Sequence, residues 1–221
     1  MMKHLNQDEI SPSFEVPTED NHQFCGSPNK EKPKHSFFSY QGSIGAIVAL
    51  ILRLLDAVKN YNKEHTAVFT VVFDKTTGVW NKSLVDSVMK QVIQFYKKYK
   101  ITVQYKISIR NGVKQVEDGG ILPIESGDGK VIFLVDKYSN TDNGTKGYHR
   151  MNRIVVRYEA DYRDRKKPST YLWTAAAHEI GHILGLEHGG SGFNLMKEDG
   201  PGVDQIGKVK LTICQVGKIK R

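Results

Sequence analysis

Three of the chain's eight histidines fall within the eleven residues His178-Glu179-Ile180-Gly181-His182-Ile183-Leu184-Gly185-Leu186-Glu187-His188. On a helix, His178 and His182 stand at i and i+4, so their imidazoles project from one face toward a common point. That spacing suits one Zn²⁺ held at about 2.0–2.1 Å from each nitrogen. A helix continued through residue 188 would carry His188 a turn beyond His182. Gly185 can take a positive φ at little cost, end the helix and send the chain back under it. His188 then completes a three-histidine site. Three protein ligands leave the fourth tetrahedral position open to water, the pattern of a catalytic zinc. Glu179 adjoins the first ligand and is read as a general base that takes the water's proton and later passes it to a leaving amine. Two blander readings stay open: histidines on an ordinary helix, and a zinc site without catalysis.

These side chains need a helix pinned to a core. Pro168 and Ser169-Thr170 precede an expected helix over about 170–186, anchored by Ile180, Ile183 and Leu184. Upstream, apolar residues at 44, 47, 48, 51, 54, 55 and 58 keep a 3.6-residue period, which predicts a packed amphipathic helix over about 43–60; a helix lying on a membrane surface is the other reading. Val68–Phe73 reads as a strand. Ser83 reads as the N-cap of a helix over about 84–99. Ile101, Val103, Tyr105, Ile107 and Ile109 alternate, so one strand face is expected to be buried. Residues 117–130 form a Gly- and acid-rich loop. Val131–Val135 is continuously apolar, as a central strand would be. Ile154–Tyr158 is a further strand, and apolar residues at 203, 206, 209, 213, 216 and 219 predict a C-terminal helix. The order β-α-β-β-β-α-α fits an α+β fold with helices packed on a sheet. Residues 1–36, polar and holding four prolines, read as a poorly ordered leader, 37–65 as an N-terminal helix packed on the domain, and 66–221 as the catalytic domain.

Composition narrows the class. With 221 residues, 39% hydrophobic and 25% charged, the chain can build a core and is not disordered throughout. Two cysteines, Cys25 and Cys214, cannot make a disulfide framework or a cysteine-rich zinc site. No run approaches 18 apolar residues, so no membrane span is expected. The formal charge of +8 is spread over scattered lysines and arginines without a nucleic-acid-binding motif, so it is read as solvated faces and no nucleic-acid partner is expected. A monomer is the default.

The pattern H-E-x-x-H-x-x-G-x-x-H, matched at every fixed position from His178 to His188, resembles that of metzincin zinc metalloproteases. Phe193-Asn194-Leu195-Met196 resembles the family's Met-turn, which places a methionine as a soft apolar floor beneath the histidines. By eye the chain is most similar to the matrixin-like subgroup. The resemblance implies a zincin-like mixed twisted sheet with an active-site helix and a C-terminal helix. It implies a zinc-dependent endopeptidase acting on extended protein or peptide segments. Val131–Asp136 would be an inner strand and Gly144–Arg150 the edge strand that pairs with substrate. Relatives are mostly secreted, although no signal segment is visible at the start. Structural Ca²⁺ is common in the subgroup; Asp128, Asp136, Asp142 and Asp161 lie in loops but match no calcium-loop spacing. Gly189 and Lys197 depart from the subgroup's usual residues, and the latter argues against a tyrosine ligand. Cys25-Gly26-Ser27-Pro28-Asn29 partly resembles the cysteine latch of matrixin pro-segments; a free cysteine and a Cys25–Cys214 disulfide are the alternatives. Two other functions stay open: a toxin-like intracellular effector protease of narrow specificity, and an inactive zinc-stabilised peptide-binding module.

Overall fold

The structure, a computed structural model, describes residues 40–61, 63–117, 119–139, 147–158, 169–190, 192–197 and 208–219. Its elements are α1 (Tyr40–Tyr61), β1 (His65–Phe73), α2 (Lys82–Lys97), β2 (Ile101–Ile109), β3 (Gln115–Val116), β4 (Lys130–Val135), β5 (Lys137–Tyr138), β6 (Gly147–Arg150), β7 (Arg153–Arg157), α3 (Ser169–Ile183) and α4 (Ile213–Gly217). Five strands form one sheet in the order β2-β1-β4-β7-β6, with β3 and β5 paired separately. All neighbours in the main sheet run parallel except β6, which is antiparallel to β7 and lies at the edge. The expected mixed sheet with helices on it is therefore present, and β4 is its central strand.

Strand periodicity explains the two cores. Phe69, Val71 and Phe73 of β1, Ile132 and Leu134 of β4, and Ile154 and Val156 of β7 point to one side, where α2 and α3 bury them. The alternate residues Val72, Val131, Phe133, Val135 and Val155 point to the other, where Val113, Val116, Leu122 and Tyr138 cover them. With both faces buried, β4 has no polar side, which is why its sequence is a continuous apolar run. β2 follows the expected alternation from Ile101 to Ile107, but Ile109 at its end is exposed. Tyr96 of α2 donates its hydroxyl to the Ala177 carbonyl of α3 at 2.6 Å, and Phe95 packs on Trp173, so the two helices are locked together over the sheet.

Three expectations need correction. α2 starts two residues early: its N-cap is Asn81, whose side chain accepts from the Leu84 N–H at 3.0 Å, and not Ser83. Asp86, three residues past Ser83, accepts from the Tyr105 hydroxyl of β2. The C-terminal helix is only Ile213–Gly217, because Thr212 and Gln215 form a capping box that starts it there. Residues 208–211 are instead drawn against Phe193–Leu195 by backbone pairing; residues 203 and 206 lie outside the described residues. Finally, α1 forms as expected but packs through its C-terminal end, where Ala57 meets Gly217 of α4, while Ile47, Val48, Ile51, Leu54, Leu55 and Val58 are exposed. No helix among the described residues is long and apolar enough to cross a membrane.

Removing the cap distinguishes Asn81 from Ser83. Asn81→Ala should lower stability by about 1 kcal/mol through one orphaned helix N–H, whereas Ser83→Ala should change it by less than about 0.5 kcal/mol. Urea unfolding of both variants checks this.

Candidate metal centre

α3 carries His178 and Glu179 into the interior, both nearly buried, while Leu172, Ala176, Ala177 and Ile180 fix its other face in the core. It ends as the glycine predicts. Gly185 adopts φ 91°, the Leu186 N–H donates to the Gly181 carbonyl and the Gly185 N–H to the His182 carbonyl, both at 2.9 Å. These are the two bonds of a Schellman motif. The chain then doubles back and brings His188 to the open side of the helix.

The three imidazole Nε2 atoms converge. They lie 3.1 Å apart for His178 and His182, 3.0 Å for His182 and His188, and 3.2 Å for His178 and His188. Ligands arranged tetrahedrally at zinc–nitrogen lengths would be about 3.3–3.4 Å apart, so the triad is within a few tenths of an ångström of a zinc-binding set. The tautomers agree. His178 Nδ1 faces the Leu195 carbonyl at 2.7 Å and His182 Nδ1 the Leu186 carbonyl at 2.8 Å. A carbonyl only accepts, so both Nδ1 atoms carry protons and both Nε2 atoms present lone pairs. Burial also depresses the basicity of both rings, His178 below its ordinary value and His182 to about 4, so they are neutral at pH 7 and available to a cation.

The Met-turn is where the motif placed it. The Asn194 side chain accepts from the Met196 N–H at 2.8 Å, and the Met196 carbonyl accepts from the Gly189 N–H at 2.9 Å. Gln215 of α4 exchanges two hydrogen bonds with the Asn194 amide, at 2.8 and 3.1 Å. The fully buried Met196 side chain lies against α3 at Gly181, where a Cβ would come within 2.5 Å of its sulfur. Gly181 is therefore the space the methionine occupies.

The structure also gathers residues that the motif does not show. His149 of β6 stacks on His182, with ring centroids 4.2 Å apart and planes at 20°, and its Nδ1 lies 3.5 Å from Glu179 Oε2. Gly147, two residues earlier, lets β6 pass close to Glu179: a Cβ there would sit 3.1 Å from the Glu179 Cγ. Nothing in the local sequence marks His149; only the sheet edge aligned over α3 brings it in. Calcium gains no support. The Asp128 carboxylate is taken by Arg110, at 2.7 and 2.8 Å, and by the Glu125 N–H. Although burial alone would raise its pKa, these hydrogen bonds hold it below the ordinary value. Asp142 and Asp161 lie outside the described residues, and the two three-member clusters of possible ligands among the described residues are both at α3. Cys25, and with it the latch resemblance, lies outside the described residues, as do residues 144–146 of the expected edge strand.

Compared with known proteins, residues 57–199 match the family model of the matrixins, more than half of the chain. The chain belongs to the matrixin family. The matched model is that of a peptidase family. No curated protein sequence matches it. Among solved structures, this matrixin is similar to metalloproteinase-II from Bacteroides fragilis, at 20% identity and a TM-score of 0.42, over 64% of this chain and 54% of that one. It thus spans about half of that protein. Archaemetzincin from Methanopyrus kandleri is 15% identical with a TM-score of 0.42, over 71% and 87% of the two chains. A zinc-dependent peptidase from Methanocorpusculum labreanum is 14% identical with a TM-score of 0.47, over 68% and 99%.

The Gly181–Met196 contact predicts a specific non-additivity. Gly181→Ala should cost about 1–3 kcal/mol by overpacking. Combining it with Met196→Ala should cost less than the two single changes summed, because the truncated side chain frees the space. A double-mutant cycle by denaturant unfolding measures the coupling.

Proposed function

We propose that this matrixin is an endopeptidase in which His178, His182 and His188 hold one catalytic zinc and Glu179 is the general base and acid. The observation that carries the reading is the convergence of three imidazole Nε2 atoms beside a nearly buried glutamate, with the edge strand β6 alongside. The donor set fits the metal, since imidazole nitrogens, two of them with backbone-held tautomers, suit zinc. Zinc bound there supplies Lewis acidity to the scissile carbonyl and acidifies the attacking water.

The chain's own residues do the rest. Glu179 removes the proton of the attacking water and delivers it to the nitrogen of the leaving amine. The Leu195 and Leu186 carbonyls keep His178 and His182 oriented throughout. β6 offers its outer edge to an extended substrate, whose main chain adds to the sheet with little sequence preference. The catalytic domain is 66–221, with residues 1–36 as a leader. An extended, strand-like substrate favours cleavage within chains over trimming of their ends.

The test measures zinc content and digestion of a peptide library together. Replacing any of the three histidines by Ala should remove most of the zinc, and Glu179→Gln should keep the zinc while lowering activity by about 10²–10⁴-fold. Zinc-loaded wild type that binds peptides without cleaving them would replace the enzyme by a binding module. Substrate approach has its own check. Amide hydrogen exchange at residues 147–150 should slow on adding a non-cleavable peptide inhibitor. Protection confined to another segment would reject β6 as the docking edge.

A further inference from the structure

His149 and Glu179 stand in a relation that the hydrolytic reading leaves unused. His149 Nδ1 and Glu179 Oε2 are 3.5 Å apart. That is long for an N–H···O hydrogen bond, whose range is about 2.7–3.2 Å. It is close to the roughly 3.3–3.4 Å between two ligand atoms of one tetrahedral zinc. With His182 the two residues form a second three-member cluster of possible ligands, adjoining the histidine triad. His182 cannot serve both clusters, because its Nε2 belongs to the triad and its Nδ1 is held by the Leu186 carbonyl. Its part in the second cluster is to present a ring face on which His149 stacks, and that contact orients the incoming nitrogen. Gly147 contributes by letting the strand approach the carboxylate.

We infer that His149 and Glu179 form a second, inhibitory site for a divalent cation of the zinc class. The inference rests on the zinc peptidase reading of the triad. His149 Nδ1 donates a lone pair when Nε2 carries the ring proton, Glu179 donates a carboxylate oxygen, and water completes the shell. Two protein ligands hold an ion more weakly than three. The triad therefore fills first, and the second ion binds only when zinc is in excess. Once bound, it occupies the carboxylate that must accept the water's proton, and hydrolysis stops. Unlike His178 and Glu179, His149 is substantially exposed, with 42% of its side chain accessible, so the ion reaches it from solvent.

The test titrates metal-free full-length protein with ZnCl₂, counting bound zinc by equilibrium dialysis and following cleavage of a peptide. Wild type should take up two zinc ions, the second more weakly, and its activity should fall about 10²-fold as the second binds, the scale of a lost acid/base group. His149→Phe keeps a ring over His182 but loses the donor; it should take up one ion and resist excess zinc. Thermal unfolding of the two zinc-loaded proteins should be similar, which excludes a folding defect. A single ion in wild type, with activity undiminished by excess zinc, overturns the second site and leaves the triad standing. Two ions in both wild type and His149→Phe also overturn it, since the second would then lie elsewhere. Wild type that binds no zinc overturns the peptidase reading itself, and this site with it.

Discussion

The site depends on one reversal of the chain. α3 must stop within a turn of His182, and the backbone must return at once for His188 to meet the other two rings. Gly185 makes this possible because its φ of 91° lies in the left-handed region, where a side chain is strained. The same reversal exposes the Leu186 carbonyl to His182 Nδ1 at 2.8 Å. The turn that delivers the third ligand thus also sets the tautomer of the second. Helix termination, usually a local matter of unsatisfied carbonyls, here decides the coordination geometry.

His178 is held by a different device that reaches further along the chain. Its Nδ1 partner, the Leu195 carbonyl, sits in a turn closed by the Asn194 side chain, and Asn194 is in turn held by Gln215 of the last helix. Lys210 pairs its backbone with Phe193 and Leu195 on the other side of the turn. The C-terminal segment therefore acts on His178 at second remove. Met196 closes the arrangement from below by filling the space that Gly181 leaves in α3. Hydrogen bonds and packing so combined hold three imidazoles with their Nε2 atoms facing one another.

The sheet contributes position and access. β4 lies at the centre with both faces buried and pairs with β7, on which α3 packs, whereas β6 is a four-residue antiparallel strand at the edge. Its closeness to Glu179 is possible because Gly147 has no side chain there. A strand that passes so near Glu179 lies beside the histidine triad, and it also brings His149 onto His182.

The sequence by itself determined the histidine-bearing helix, the reversal at Gly185, the Met-turn and most strands, because each is written in neighbouring residues. An i, i+4 pair shares a helix face whatever surrounds it, and a continuous apolar run has nowhere to go but a buried strand. Where a boundary depended on competition between neighbours, local reading fell short: Asn81 outcompetes Ser83 for the α2 cap, and Thr212 with Gln215 starts the last helix later than the apolar pattern suggested. The apolar period of α1 predicted a helix correctly but not its partner, since amphipathicity says that a face can be buried and not what buries it. Tertiary structure alone decided that Leu195 would orient His178, that Arg110 would claim Asp128, and that His149 would reach Glu179. Arg110–Asp128 and His149–Glu179 join residues far apart in the chain. No pattern in either segment encodes such a meeting, because it follows from the register and order of the strands that carry them.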